Sequence, residues 1–439
     1  VGEYTAMTFL PLVALGAWAI ARHERPAARD WLPLGLGMAG IVQSHLLTTE
    51  LAAIFLALFW ICNLQVMVRP PRLLAALKAV LTAVGLTAWF LLPCMQTLNG
   101  QKIMISDVHP APLQSTGTYL IQLLGFFGVS SGSSGAGTTG DMPLTLGLAG
   151  CLALGLALWC CLRRDCWQKT PDTQRRWLGL RGSLALCLLA MWMSTTSFPW
   201  DWLANKLPQK IVDILLKPQF SWRYLAVAVV LAGVIFVLAL RLTEELAPRL
   251  ARGVAVALVA ATLLYAGAFY RDYAYSKETI TLISTETVTD FPYETMGYDY
   301  LPAGADLATF DRVQATTRDE DVTAVWLGQG NVECQNDTDS TAEVELPLLA
   351  YQHYTARDAA TGELLPLTEN EQHCLRVTLP AGYRGTVQVR YTPPFAWRIA
   401  ELVTLATALG LAGWAVQGYR RRRRERIQEE TVQEDFIHV

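Results

Sequence analysis

Lysine and arginine crowd every second gap between the apolar segments of this chain, and that alternation limits it to one kind of fold. The basic gaps are Arg22 to Arg29, Arg69 to Lys78, Arg163 to Arg181, Arg241 to Arg252 and Arg420 to Arg426. The intervening gaps are neutral, acidic or weakly charged. Short loops left on the cytoplasmic side of a membrane keep Lys and Arg, whereas translocated loops are poor in them. The pattern therefore predicts a polytopic membrane protein and orients it, with the C-terminus cytoplasmic.

A bilayer-spanning helix needs roughly 20 mostly apolar residues. About nine segments approach this, near 6–21, 31–47, 51–68, 79–98, 143–162, 178–196, 222–240, 253–269 and 396–417. Hydrophobic residues make up 52% of the chain and charged residues 17%, which suits a membrane protein. By parity Val1 falls on the outer side, with no signal peptide before it. That placement predicts a fragment lacking upstream helices.

The expected fold class is mainly α, with about nine transmembrane helices and a small extracytoplasmic β-sandwich-like module before the last one. The helical domain is expected over 1–270, with outer loops 99–142 and 197–221. An extracytoplasmic domain over 271–394 becomes β-rich from about 322. A final transmembrane helix over 395–419 leads into a basic cytoplasmic tail, 420–439. The strand reading rests on alternation in Ala342 to Leu346, Arg376 to Leu379 and Thr386 to Tyr391, separated by turn residues such as Gly362 and Gly382.

Within the outer loops, Tyr119 to Gly128 is apolar but too short to span, and reads as an interfacial or re-entrant helix. Ser130 to Gly140 is a flexible Gly/Ser tract. In Asn205 to Leu216, the spacing of Leu207, Ile211 and Leu215 predicts one apolar face, leaving Lys206, Lys210, Asp213 and Lys217 in water.

Seven cysteines fall in or beside apolar segments, where Cys packs as a small hydrophobe. Metal binding by Cys160, Cys161 and Cys166 is the competing reading, with no His or acidic cluster to complete it. Cys334 and Cys374 stand alone in the outer domain, an oxidising location, and a disulfide between them is one reading. Asn336-Asp337-Thr338 matches an N-glycosylation sequon, a short pattern that is frequent by chance.

Ionisable groups at the outer helix ends are where chemistry is expected, because such residues are costly in a membrane unless used or solvated. The candidates lining an outer cavity are Glu3, His45, Glu50, Asp107 and His109. Arg223, with Lys217 and Lys210, is a candidate for lipid phosphate. A His beside a carboxylate could act as general base or bind a divalent cation, and a guanidinium at a helix entrance could hold phosphate. The plainer readings are a wet turn at His45 and Glu50, an Arg223 that snorkels beside aromatic rings, and lysines on a solvated face. His353 and His373 read as surface residues. No Walker motif, GxSxG elbow or HExxH is present, which removes support for ATP-driven transport and soluble-type hydrolysis; nor does anything point to nucleic acid.

Several elements together resemble a family. Gly2-Glu3-Tyr4-Thr5-Ala6 followed by Phe9-Leu10-Pro11-Leu12, then Ser44-His45-Leu46, Gln219-Phe220-Ser221-Trp222-Arg223-Tyr224 and Tyr298-Asp299-Tyr300-Leu301-Pro302 appear in order. They resemble elements of large bacterial membrane proteins labelled 6-pyruvoyl-tetrahydropterin synthase-related, close to the YfhO-like proteins. Ser221 stands where Pro is usual, and Asp299 where Glu is. The resemblance implies a GT-C-like glycosyltransferase architecture that transfers sugar from a polyprenyl-phosphate donor to an envelope glycopolymer. It implies Arg223 on the lipid phosphate, His45 with Glu3 lining the cavity, and a catalytic carboxylate in a preceding loop. Competing readings are a transporter or flippase of lipid-linked saccharide, and a non-catalytic assembly scaffold.

Overall fold

The structure is a computed structural model describing residues 2–104, 113–124, 144–167, 170–275, 300–305 and 314–437. It is mostly helical, with a β-sheet region before the last helix. The chain divides into two compact units: Val1–Val84 with Pro110–Thr289, and Gly85–His109 with Asp290–Val439. The principal helices are α1 (Gly2–Met7), α2 (Leu10–Arg22), α3 (Ala28–Ser44), α4 (Leu46–Cys62), α5 (Pro70–Gly100) and α6 (Gly147–Leu162). They continue with α7 (Pro171–Met193), α8 (Gln209–Leu216), α9 (Tyr224–Leu246), α10 (Pro248–Tyr275) and α11 (Phe395–Ile437).

Five helical stretches are long and apolar enough to cross a membrane: Gly2–Arg22, Pro70–Gly100, Ser221–Leu246, Pro248–Ala268 and Phe395–Arg421. Leu46–Cys62 and Gly147–Leu162 are apolar but shorter. The nine spans expected from the sequence thus reduce to five among the described residues. The reasons are local. The segment over 51–68 is interrupted at Asn63, which ends α4 by donating its side-chain amide to the Phe59 carbonyl at 2.8 Å. The segment over 31–47 ends at His45, and α7 carries Asp172, Arg175, Arg176 and Arg181 in its first half.

In the first unit, α2 and α3 pack backbone to backbone. A Cβ on Gly16 would lie 2.4 Å from the Leu34 nitrogen, and one on Gly37 2.9 Å from the Val13 nitrogen. Small residues permit this close approach, on which helix packing in membranes depends. The turn between them is held by Asp30, buried and accepting the Ala27 N–H at 2.7 Å.

Helices α6, α7 and α9 form the larger core, including Leu154, Ala157, Leu180, Leu184, Ala228 and Ile235. Cys187 donates to the Ala228 carbonyl at 3.4 Å, and Cys160 to the Ala239 carbonyl at 3.6 Å. Those two cysteines therefore do packing work. Among the described residues no group of three or more His, Cys, Asp or Glu is placed to hold a metal ion.

The second unit contains the antiparallel sandwich. One sheet has the order β1 (Thr316–Thr317), β4 (Ala342–Leu349), β8 (Cys374–Leu379), β7 (Leu367–Glu369). The other has the order β2 (Val322–Gly328), β3 (Asn331–Asn336), β9 (Arg384–Tyr391), β5 (Tyr354–Asp358), β6 (Leu364–Leu365). Val344 opposes Val377 in the first sheet and Val332 opposes Val387 in the second. All four are fully buried and belong to one core. Alternation in the sequence had this meaning, since successive strand side chains point to opposite faces.

Helices run through the edges of the segments read from the sequence. Helix α10 runs to Tyr275, past residue 270, and α11 continues helically through residues 420–437. The end of α5 after Val84 groups with the unit that holds the sandwich and α11.

Candidate functional site

The first unit gathers three of the sequence candidates at one end of α9. Helix α1 brings Glu3, the corner between α3 and α4 brings His45, and the loop before α9 brings Arg223. Gly2 makes the first approach possible. A Cβ there would sit 2.8 Å from the Ser44 carbonyl oxygen and 3.6 Å from the His45 ring.

His45 ends α3 and begins α4. Its backbone N–H donates to the Ile41 carbonyl at 2.8 Å, and its ring Nδ1 accepts the Thr48 N–H at 3.3 Å, with the Thr48 hydroxyl 2.8 Å away. This is N-capping by an imidazole. A backbone N–H can only donate, so Nδ1 is unprotonated and the neutral ring carries its proton on Nε2. The exposed chemistry of His45 is that of a donor. Its Nδ1 is thus engaged in capping α4.

Arg223 is positioned by the loop Pro218 to Ser221. Ser221 is fully buried; its N–H donates to the Thr116 hydroxyl at 3.1 Å and its own hydroxyl to the Leu113 carbonyl at 2.9 Å. Gln219 has φ of 65°, the left-handed region that is uncommon for residues with a side chain. That conformation places the Gln219 Oε1 at 3.1 Å from Arg223 Nη1, which also donates to the Pro218 carbonyl at 2.8 Å. Phe220 and Trp222 stack at 5.5 Å and flank the guanidinium, whose carbon lies 5.0 Å and 5.6 Å from their ring centres. Beneath them Trp200 stacks on Tyr224 at 5.2 Å.

Glu3 Oε2 lies 3.8 Å from Arg223 Nε, an electrostatic contact too long for a hydrogen bond. That Nε is buried and has no hydrogen-bond partner, and Arg223 is only 14% exposed. A buried donor left unmatched carries a desolvation cost of about 1–3 kcal/mol, more for a charged group. Nη1 is thus held by Pro218 and Gln219, while Nε, beside Glu3, makes no hydrogen bond among the described residues. The stacked Phe220 and Trp222 rings beside the guanidinium restrict it further.

Glu50 is half-buried on α4, close enough to Lys217 for the ammonium to act on its carboxylate. Lys217 is exposed, and Lys210 is exposed about two turns earlier on α8. On that helix Val212 is the buried residue, while Ile211 is 45% exposed. The apolar face expected at Leu207, Ile211 and Leu215 is therefore rotated to Val212, Leu215 and Leu216. Asp107, His109 and the Gly/Ser tract lie outside the described residues. Of the stretch from Tyr119, the structure describes a single helical turn, Leu120–Leu123, with Leu123 fully buried. Gln219, Phe220, Trp222 and Tyr224 were legible only as members of the motif around Arg223.

The sandwich holds the remaining residues singled out in the sequence. Cys334 lies on β3 and Cys374 begins β8, in different sheets. Burial, then the Glu333 charge, pushes the Cys334 thiol up to about 12. The sequon asparagine is equally committed: Asn336 is fully buried, and its amide donates to the Ser340 and Pro380 carbonyls at 2.9 and 2.8 Å. His353 packs edge-on against Tyr391 and Trp397, and His373 pairs with Glu369, as suits structural residues.

No protein family, curated protein or solved structure matches this chain.

Proposed function

We propose that the end of the first unit carrying Glu3, His45 and Arg223 binds the phosphate of a lipid-linked saccharide. On this reading the protein is a GT-C-like glycosyltransferase of the membrane's outer face, passing sugar from a polyprenyl-phosphate donor to an envelope polymer. The observation that carries it is the Arg223 guanidinium, whose Nη1 is braced by Pro218 and Gln219 and whose buried Nε has no hydrogen-bond partner among the described residues. A guanidinium is suited to phosphate because its planar donors match the oxyanion geometry.

In transfer, the bond from the sugar's anomeric carbon to the phosphate oxygen breaks and the electron pair goes to the phosphate. An acceptor hydroxyl oxygen bonds the carbon and loses its proton to a base. A fixed cation at the leaving phosphate stabilises the charge that develops there. His45, with its proton on Nε2, adds a second donor. Glu3 stands beside Arg223, and Glu50 lies within electrostatic reach of Lys217.

The test is photo-crosslinking of the detergent-purified chain with a polyprenyl-phosphate-sugar probe, alongside transfer to envelope polymer in cells. Arg223→Ala should lower transfer by about a hundredfold and lose the crosslink, with the melting profile unchanged. Arg223→Lys should restore part of the crosslink. Full labelling of Arg223→Ala would remove Arg223 from phosphate binding. Labelling that depends on Arg223 with no transfer by the wild type would favour the lipid-linked saccharide transporter.

A further inference from the structure

At the far end of α9 lies a second charged site. Arg241 follows Arg223 by 18 residues on a helix, or about 27 Å at roughly 1.5 Å per residue. That is close to the ~30 Å thickness of a bilayer's hydrocarbon core. There the ends of α2, α7 and α9 enclose a cleft of about 550 Å³, lined by Trp18, Arg22, Arg175, Arg176, Leu238 and Arg241, with Glu244 and Glu245 at its edge.

Three sequence-remote basic gaps converge on this cleft. Its ion pairs are unevenly distributed. Arg22 reaches Asp172 at 3.0 Å, Arg176 bridges Asp172 and Glu245, and Arg241 meets Glu244 at 3.2 Å. Arg175 is exposed and has no ion pair among the described residues. Four arginines therefore face three carboxylates, leaving a net positive opening. Trp18 supplies an apolar wall, seated so closely on α7 that a Cβ on Gly179 would lie 2.1 Å from its ring. Leu238, one turn inside Arg241, lines the cleft on the side of the apolar helix.

We infer that this cleft binds the phosphodiester headgroup of an anionic membrane lipid, such as phosphatidylglycerol. Cationic side chains occupy the level of the headgroup, and Trp18 with Leu238 face the glycerol and first methylenes. Basic pockets between helices at a membrane face recognise anionic headgroups by this combination. Uncharged or zwitterionic lipids lack the net charge to match the unpaired arginine. This site is independent of the Arg223 reading, lying at the other end of the same helix.

The experiment is native mass spectrometry of the purified chain in neutral detergent, titrated with phosphatidylglycerol or phosphatidylcholine of the same acyl chains. One phosphatidylglycerol should be retained in preference to phosphatidylcholine. Arg175→Ala and Arg241→Ala should each weaken that retention about fivefold. Glu244→Gln, which releases Arg241 from its ion pair, should strengthen it. A gain is an effect that misfolding does not produce. Excess inorganic phosphate should leave the bound lipid in place; displacement by phosphate would identify a small-anion site and overturn the lipid assignment. Equal retention of the two lipids, or unchanged retention in both arginine variants, would also overturn it.

Discussion

The spanning helices and the β-sandwich use apolar residues in opposite senses. In the sandwich, Val332, Val344, Val377 and Val387 are fully buried, and the strand faces turned outward are largely polar. On α10 and α11 the large apolar side chains point outward: Leu263 is 68% exposed, Leu264 66% and Leu409 63%. Only 11% of the apolar window of Pro248–Ala268 and 6% of that of Phe395–Arg421 is buried within the protein. The physical rule is common to both regions, and the medium outside differs. In water an apolar side chain is driven inward, whereas in lipid it gains nothing by turning in and helices associate through small residues and polar contacts.

The first way to break this comparison is to open a cavity in the sandwich. Leu379→Ala, at a fully buried position, should destabilise that unit by about 2–5 kcal/mol, seen as lost hydrogen-exchange protection in β4 and β8. Next, a charge on an outward helix face should cost nearly as much, although no protein contact is lost. Leu263→Lys should disfavour insertion by about 2.5–3.5 kcal/mol in a glycosylation-reporter assay. Normal insertion would show that this face of α10 does not meet lipid. Gly16→Val tests the helix contact itself. The side chain would collide with the Leu34 backbone, and a loss of about 1–3 kcal/mol is expected in thermal melting.

A pH titration separates the units differently. Asp358 accepts from the Tyr383 hydroxyl at 2.6 Å and from the Thr361 N–H and hydroxyl at 2.6 and 2.9 Å. These bonds, the Tyr383 bond foremost, hold its carboxyl down at about 2. An unfolded Asp titrates near 3.9, so the stabilisation is complete above about pH 4 and is lost as pH falls towards 2. Near-ultraviolet dichroism should show the wild-type sandwich weakening across that window, and Asp358→Asn should flatten the dependence. The smallest effect completes the contrast. Val325→Lys, at a position 50% exposed on edge strand β2, should change stability by less than about 0.5 kcal/mol. The same chemical change is thus severe on α10 and neutral on β2.

The sandwich was legible because a period of two appears in short windows: the alternation over 342–346, 376–379 and 386–391 lies within β4, β8 and β9. The grouping of Glu3, His45 and Arg223 was also legible, because charge parity put all three near one membrane face. What could not be read was orientation within an element. Whether Val212 or Ile211 turns inward on α8 depends on the neighbours of the helix, and both fit a helical period. Nor does the sequence show that Asn336 is enclosed by a turn and Pro380, or that Cys334 and Cys374 fall on opposite sheets. The basic cleft is a further case. Arg22, Arg175, Arg176 and Arg241 look like separate loop charges until α2, α7 and α9 bring them together.

The imidazole at the junction of α3 and α4 carries a practical consequence. One ring nitrogen, Nδ1, belongs to the architecture and the other is not part of the cap, so alanine at position 45 would conflate unravelled helix with missing reactivity. Asparagine is among the best residues for starting a helix, and its shorter amide does not extend to the position of the ring Nε2. His45→Asn is therefore the substitution able to tell scaffold from chemistry at this position.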